Sequence, residues 1–399
     1  MPVVAKQIVQ TFYGQAPRYS YFNGCSTGGQ QALLEAQRYP ADYDGILGGD
    51  PANNRTHTHT AVVWNYKAMH ATVSSSFSSS QEQLVTNAVV AACVVKSGGL
   101  ATDPFLTDPR TCSWDPGALQ CTSTTQTNCL SADQVTAART IYQGAHDPHT
   151  GHLIFPGNVR GSESDSQFGW NGIGGQAEPP FDSLFKWVFG ITWLWSTYDF
   201  DQNMATVDQA LGQTLNDNNA DLSQFQARGG KLLMYHGWAD PLISPQESID
   251  YFLRVLAAQG GNSNYGTYSS ATLAQVQNFY RLFMVPGMYH CAYGPGPNSF
   301  GNLYSGLVYA PPPPTHDATH DAFVALQQWV EHGIAPTRLV ATKYVNDVPN
   351  LGISMTRPLC PFPQVPRYSG TGDTNNEASF VCVVDTNNNN PMPAPEYLQ

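Results

Sequence analysis

An α/β fold with a parallel sheet is predicted by three stretches of this 399-residue chain: "YSYFNGCSTGGQQALLEAQRYP", "KLLMYHGWADPLISPQESIDYFLRVL" and "RLFMVPGMYHC". Each begins with a short apolar run and passes into a turn carrying a reactive side chain: Ser26, Asp240 and His290 in order. Helical patterns follow each of them. Short apolar runs between turn signals fit strands buried on both faces, and their alternation with helices calls for a parallel sheet.

Residues 19–24 are predicted to be the first strand, running into the turn at Ser26. Residues 28–40 then form a helix, with Ala32, Leu33 and Ala36 on one face and Pro40 as its stop. "YDGILGGDPA" is a second strand. The third is 231–235, ending in the loop of Asp240, and Ser244 to Glu247 reads as a capping box that opens a helix over 246–260. The fourth, over 281–285, ends in the loop of His290. A helix around "DAFVALQQWVEHG" follows the proline run 311–314. Residues 56–227 differ in texture, being rich in Ser, Thr, Asn and Trp with four cysteines, and are expected to form an inserted lid. Its clearest helix is "SADQVTAARTIYQG", with a capping box at Ser131 and Gln134. The divisions are therefore a catalytic part over 1–55, the lid over 56–227, a second catalytic part over 228–385 and a flexible tail over 386–399.

Charged residues make up 12% of the chain, about half the usual share, and the formal net charge is −12. That charge argues against nucleic acid or an anionic membrane as partner. No apolar run reaches the ~20 residues of a membrane span. Eight cysteines, an even number, suit an oxidising compartment. Cys93/Cys112, Cys121/Cys129 and Cys360/Cys382 are close neighbours in sequence, and Cys25 and Cys291 are left over. Local pairing is one of many possible connectivities. Export is expected, yet "MPVVAKQIVQTFYG" has no apolar signal core.

The run 24–28, Gly-Cys-Ser-Thr-Gly, has the G-x-S-x-G pattern of a nucleophile elbow in a strand–turn–helix context. A serine hydroxyl needs a base to take its proton, and an imidazole base needs a carboxylate to fix its tautomer. Ser26, Asp240 and His290 supply these types in the order found in α/β-hydrolases. Asp44 and Asp50 are competing carboxylates. Cys25 precedes the serine and Cys291 follows the histidine. A disulfide holds two Cα atoms ~5.5 Å apart, so a Cys25–Cys291 bridge would hold the histidine loop against the elbow. The backbone N–H of Thr27 is the expected oxyanion donor.

These residues, with "YFNGCSTGGQQALLEAQRYPADYDGI", "YHGWADPLISP", "FMVPGMYHCAYGPGP", "WVEHGIAP" and "RPLCPFPQVPRYSGTGD", resemble the tannase and feruloyl esterase family of secreted serine esterases, which includes a terephthalate monoester hydrolase. The resemblance covers nearly the whole chain. It implies an α/β-hydrolase domain with a large lid, cleavage of esters of aromatic acids, and the pairings Cys93–Cys112, Cys121–Cys129 and Cys360–Cys382. Two departures stand out. The family commonly holds calcium in an Asp-rich loop between the first two lid cysteines, whereas here "VVKSGGLATDPFLTDPRT" keeps only Asp103 and Asp108. These are few for a cation wanting six to eight oxygens, so no metal is expected. The family also has a substantial segment before the elbow. The chain is therefore expected to lack the N-terminal strands of its enzyme, leaving an elbow strand without one neighbour and an oxyanion hole without its second donor.

Other histidines have plainer readings than metal ligation. His146, His149 and His152, and likewise His57 and His59, are expected in exposed polar loops, and His316 and His320 in a solvated first helical turn. The aromatic run "FKWVFGITWLW" is expected to be mostly core. The expected function is that of a serine carboxylic ester hydrolase taking a small aromatic ester, with no organic cofactor, secreted or periplasmic. A terephthalate-monoester-type hydrolase, a serine peptidase on the same scaffold and a non-catalytic phenolic-binding relative with a vestigial triad are the alternatives.

Overall fold

The computed structural model describes residues 2–123, 125–260, 267–302 and 310–385. The expected tail over 386–399 lies outside them. The strands of the first half are β1 (Tyr21–Cys25), β2 (Gly45–Gly49), β3 (Ala145–His146) and β4 (Leu153–Phe155). Those of the second half are β5 (Lys231–Gly237), β6 (Tyr280–Val285), β7 (Leu339–Tyr344), β8 (Ile353–Leu359), β9 (Gln364–Tyr368) and β10 (Phe380–Val384). The central sheet has the order β1-β2-β5-β6, and every pairing in it is parallel. Among the described residues β1 is its edge strand.

Register decides where the chemistry lies. Cys25 pairs with Gly49, Gly49 with Tyr235, and Gly237 with Val285. The carboxyl ends of all four strands therefore meet along one edge, where open α/β sheets assemble their ligand sites. The loops leaving that edge carry Ser26, Asp50, Asp240 and His290.

Both faces of the sheet are covered, which is why β2 and β5 read as unbroken apolar runs. Helix α1 (Pro2–Tyr13) buries none of its side chains. Helix α2 (Thr27–Arg38) presents Ala32, Leu33 and Ala36 to one face. There they pack with Ile46, Leu232, Met234 and the helix Gln246–Gly260. On the other face the helix Ala322–His332 sets Leu326 and Trp329 against Leu47, Leu233 and Phe283. Helix α2 approaches β2 closely at Gly29, where a Cβ would stand 2.1 Å from the Gly49 carbonyl oxygen. Only glycine fits there.

Residues 56–227 build a core of their own. Helices α3 (Arg55–Met69), α4 (Ser79–Cys93) and α5 (Ala132–Gln143) enclose Val62, Tyr66, Val85, Val89, Val135 and Ile141. The capping box at Ser131 and Gln134 forms. Two local readings fail. Glu247 closes no capping box: its Oε1 accepts from Asn53 Nδ2 at 2.9 Å, and Arg254 lies 3.3 Å away. The buried amide of Asn53 and guanidinium of Arg254 hold it instead. His57 and His59 are not in an exposed loop; they are buried within α3. Thr58 and Thr60 bond back to the carbonyls of Asn54 and Thr56, and a His57 ring nitrogen meets Asp208 at 2.9 Å, so these three polar side chains are satisfied inside the helix, whereas His59 Nδ1 has no hydrogen-bond partner among the described residues. The aromatic run is also less of a core than expected: Phe185 is buried, but Trp187 and Ile191 are 71% and 82% exposed.

Candidate active site

The elbow starts from backbone strain. Ser26 sits at φ 65°, a left-handed conformation that a residue with a Cβ adopts only under tertiary constraint. The turn is tight enough that a Cβ at Gly24 would lie 2.7 Å from the Gly28 backbone. Helix α2 begins at Thr27, so the Thr27 N–H is at the first helical position and has no intrahelical carbonyl to bond. The Thr27 hydroxyl accepts from Arg55 Nη2 at 2.6 Å.

Asp240 and His290 meet in a fully enclosed contact: His290 Nδ1 lies 2.7 Å from Asp240 Oδ2. The other carboxylate oxygen accepts from the backbone N–H groups of Leu242 and Ile243, at 2.8 and 3.0 Å. Asp240 therefore anchors its own turn and orients the imidazole. Burial disfavours its charge, but His290 and His236 outweigh that and hold the carboxyl below the usual range. For His290, burial opposes protonation, and the carboxylates of Asp240, Asp50 and Asp165 overcome it and raise the ring's pKa. His290 Nδ1 is occupied, so Nε2 is the nitrogen left to act as base.

Cys25 and Cys291 are bridged, with Cα atoms 6.0 Å apart. Because Ser26 and His290 are the immediate chain neighbours of these cysteines, the bridge ties the elbow to the imidazole loop. The described chain also contains the bridges Cys93–Cys112, Cys121–Cys129 and Cys360–Cys382. Among the described residues Ser26 Oγ makes no hydrogen bond. The competing Asp44 lies at the opposite end of β2, accepting from Ser20 N and paired with Arg228. Asp50, at the site end of β2, is fully buried, with a carboxyl oxygen close to both Asp240 and His290.

Several contributors escaped the sequence reading. The Phe168 ring stands edge-on to the His290 ring with centroids 5.5 Å apart. Asp165 fixes that turn by accepting from the N–H groups of Gln167 and Phe168, at 2.7 and 3.3 Å. His236, at the end of β5, places its ring nitrogens 2.7 Å from Ser248 Oγ and 3.3 Å from Asp240 Oδ2. Only His236 had a local signal, its position four residues before Asp240 on a buried strand.

In the loop between Cys93 and Cys112 both aspartates have partners within the chain. Asp103 gives one oxygen to the Leu100 N–H and the other to Arg357 Nη2, at 2.9 and 2.7 Å. Both Asp108 oxygens are taken by Arg110. Guanidinium groups already neutralise the carboxylates that a cation would need. His146, His149 and His152 occupy the β3–β4 hairpin and its turn. His316 and His320 precede the helix Ala322–His332 and pair with Asp321 and Asp317.

The chain is 35% identical over 396 residues to an uncharacterized esterase of Xanthomonas campestris, covering 95% of this chain and 67% of that protein. It is 32% identical over 371 residues to a probable feruloyl esterase B-2 of Aspergillus flavus, covering 90% and 66%. Among solved structures, feruloyl esterase B from Aspergillus oryzae superposes with a TM-score of 0.81 at 28% identity, covering 96% of this chain and 72% of that one. The chain thus spans about two thirds of the length of these curated relatives. The sequence profile described as tannase and feruloyl esterase matches residues 1–182 and 186–383, and the chain belongs to that family.

Proposed function

We propose that this chain is a serine carboxylic ester hydrolase that cleaves esters of aromatic acids through an acyl-enzyme. The observation that carries the reading is the enclosed Asp240–His290 pair, tied by the Cys25–Cys291 bridge to a strained Ser26. Ser26 Oγ attacks the ester carbonyl while His290 Nε2 takes its proton. The Asp240 carboxylate supports the imidazolium that forms. The Thr27 N–H receives the developing oxyanion. His290 then protonates the leaving alcohol, and water, activated by the same imidazole, hydrolyses the acyl-enzyme. Balanced this way, the cycle needs no cofactor, and the pairing of Asp103 and Asp108 with arginines supports a lid loop that works without calcium.

Residues 56–227 act as the lid. Phe168 against His290 supports this, because it brings a side chain from that segment to the reacting groups. A small aromatic ester is the partner, as family membership and the aromatic wall at Phe168 suggest. Four disulfides support a secreted or periplasmic location. Among the described residues no helix is long and apolar enough to cross a membrane.

The test is turnover of methyl ferulate, methyl gallate, methyl p-coumarate and a terephthalate monoester beside a peptide anilide. Hydrolysis of at least one aryl ester, lost in Ser26→Ala, is the expected result. Peptide cleavage without ester cleavage would overturn the reading.

A further inference from the structure

The edge of the sheet holds a second carboxyl group that the reaction above does not use. Asp50 follows β2 directly, is fully buried, and adopts φ 39°. Its Oδ1 accepts from the Gly237 N–H at 3.0 Å and lies 3.7 Å from His236 Nε2. Its Oδ2 lies 3.5 Å from Cys25 Sγ. That sulfur is bonded to Cys291 and carries no proton. A carboxylate accepts hydrogen bonds and cannot donate them, so an ionised Asp50 would leave Oδ2 facing a group with nothing to give. A protonated Oδ2 can point its O–H at the sulfur.

The surrounding charges favour the same state. Carboxyl oxygens of Asp50 and Asp240 and a ring nitrogen of His290 all lie within 4.8 Å of one another. Two carboxylates this close do not both ionise easily, and Asp240 has the shorter contact with the imidazole. The titratable groups facing Asp50 are His236 and Asp240 from β5 and its loop, and His290 from the loop after β6. Those facing His290 are Asp240, Asp50 and, from the 56–227 segment, Asp165. The disulfide does not titrate. Burial pushes the Asp50 carboxyl up to about 7, against the pull of His236.

We propose that Asp50 is a positioning residue for the triad: neutral, it joins the end of β5 to the Cys25–Cys291 bridge and leaves Asp240 as the carboxylate bonded to His290, and ionised, it holds a proton on His290. This rests on the assignment of His290 as the base. In the neutral state Asp240 is the carboxylate in contact with the single imidazolium that forms during attack. When Asp50 loses its proton, a second negative charge stands beside His290 and resists deprotonation of the base. The two groups then titrate as a coupled pair rather than as independent sites.

The test reads His290 itself. Protein labelled with 13C at histidine Cε1, with the His290 resonance assigned from His290→Gln, is titrated by NMR. In the unmodified protein the His290 curve should depart from a single-proton transition. In Asp50→Asn it should become a single transition with its midpoint lower by on the order of one pH unit. The acid limb of kcat/KM should move down with it. Asp50→Ala, which also removes the acceptor of the Gly237 N–H, should lose more plateau kcat than Asp50→Asn. A single-proton His290 curve in the unmodified protein, or a midpoint unmoved in Asp50→Asn, would overturn the proposal. The NMR curve does not depend on turnover. A shifted midpoint in a protein that hydrolyses no ester would therefore retain the Asp50 assignment and refute the esterase.

Discussion

Two pairs of buried aspartates, one at the edge of the sheet and one in the loop closed by Cys93 and Cys112, meet opposite kinds of partner. Asp103 and Asp108 face the guanidinium groups of Arg357 and Arg110. Asp50 and Asp240 face the imidazoles of His236 and His290. A guanidinium stays charged at every working pH, so the loop pairs are fixed attachments, and Arg357 of β8 ties the loop to the second half of the chain. An imidazole gains and loses its proton near neutrality, so the same carboxylates at the sheet edge can drive proton transfer. The acid is the same in both regions; its partner decides whether it holds or works.

The largest expected effect lies at the sheet edge. Ser26→Ala, His290→Ala and Asp240→Asn should each lower kcat by roughly 10⁴-fold or more, without additivity in combination, while the circular dichroism spectrum stays folded. Near-full turnover in Asp240→Asn would make Asp50 the working acid and invert the comparison. Next comes the tether. The double change Cys25→Ser with Cys291→Ser should cost roughly 10²-fold in kcat/KM, because a misplacement of about 1 Å between base and nucleophile is enough for that. The loop it closes also contributes up to about 5 kcal/mol in chain-entropy terms.

The loop should respond in stability rather than rate. Arg357→Met leaves Asp103 buried without its counter-charge and should cost about 3–5 kcal/mol in denaturant unfolding, with a smaller loss for the double change Arg357→Met with Asp103→Leu. Chelation is the mildest test: EDTA should leave the melting temperature unmoved, because arginines occupy the carboxylates. A calcium-dependent rise in melting temperature would break the comparison at its loop side. For pH, the raised His290 means that the base is blocked by a proton up to a higher pH than an ordinary imidazole of about 6.5. The acid limb of kcat/KM should therefore lie above that value.

The sheet was legible in the sequence because each of its strands is a short apolar run ending in a glycine-, proline- or aspartate-marked turn, and Ser26, Asp240 and His290 each close one. Helix α3 was not legible. "THTHT" has poor helix formers; Thr58 and Thr60 are satisfied by carbonyls one turn back, and Thr56 and His57 by Asp208, which no local pattern announces. The strands β8 and β9 were missed because prolines 358, 361, 363 and 366 interrupt the stretch and mask its periodicity. Phe168 and Asp165 reach the imidazole only because the 56–227 segment folds over the sheet edge, a long-range placement without a local signature. Asp50 was visible only as a rival to Asp240; its proton-free sulfur neighbour exists only once Cys25 and Cys291 are joined.

The most direct measurement is intact and peptide mass spectrometry after exposure to a fluorophosphonate. A nucleophile activated by the Asp240–His290 pair should take up one phosphonyl group, located on Ser26, and the labelling rate should fall by orders of magnitude in His290→Ala. An unlabelled chain, or a label on a serine other than Ser26, would contradict the account.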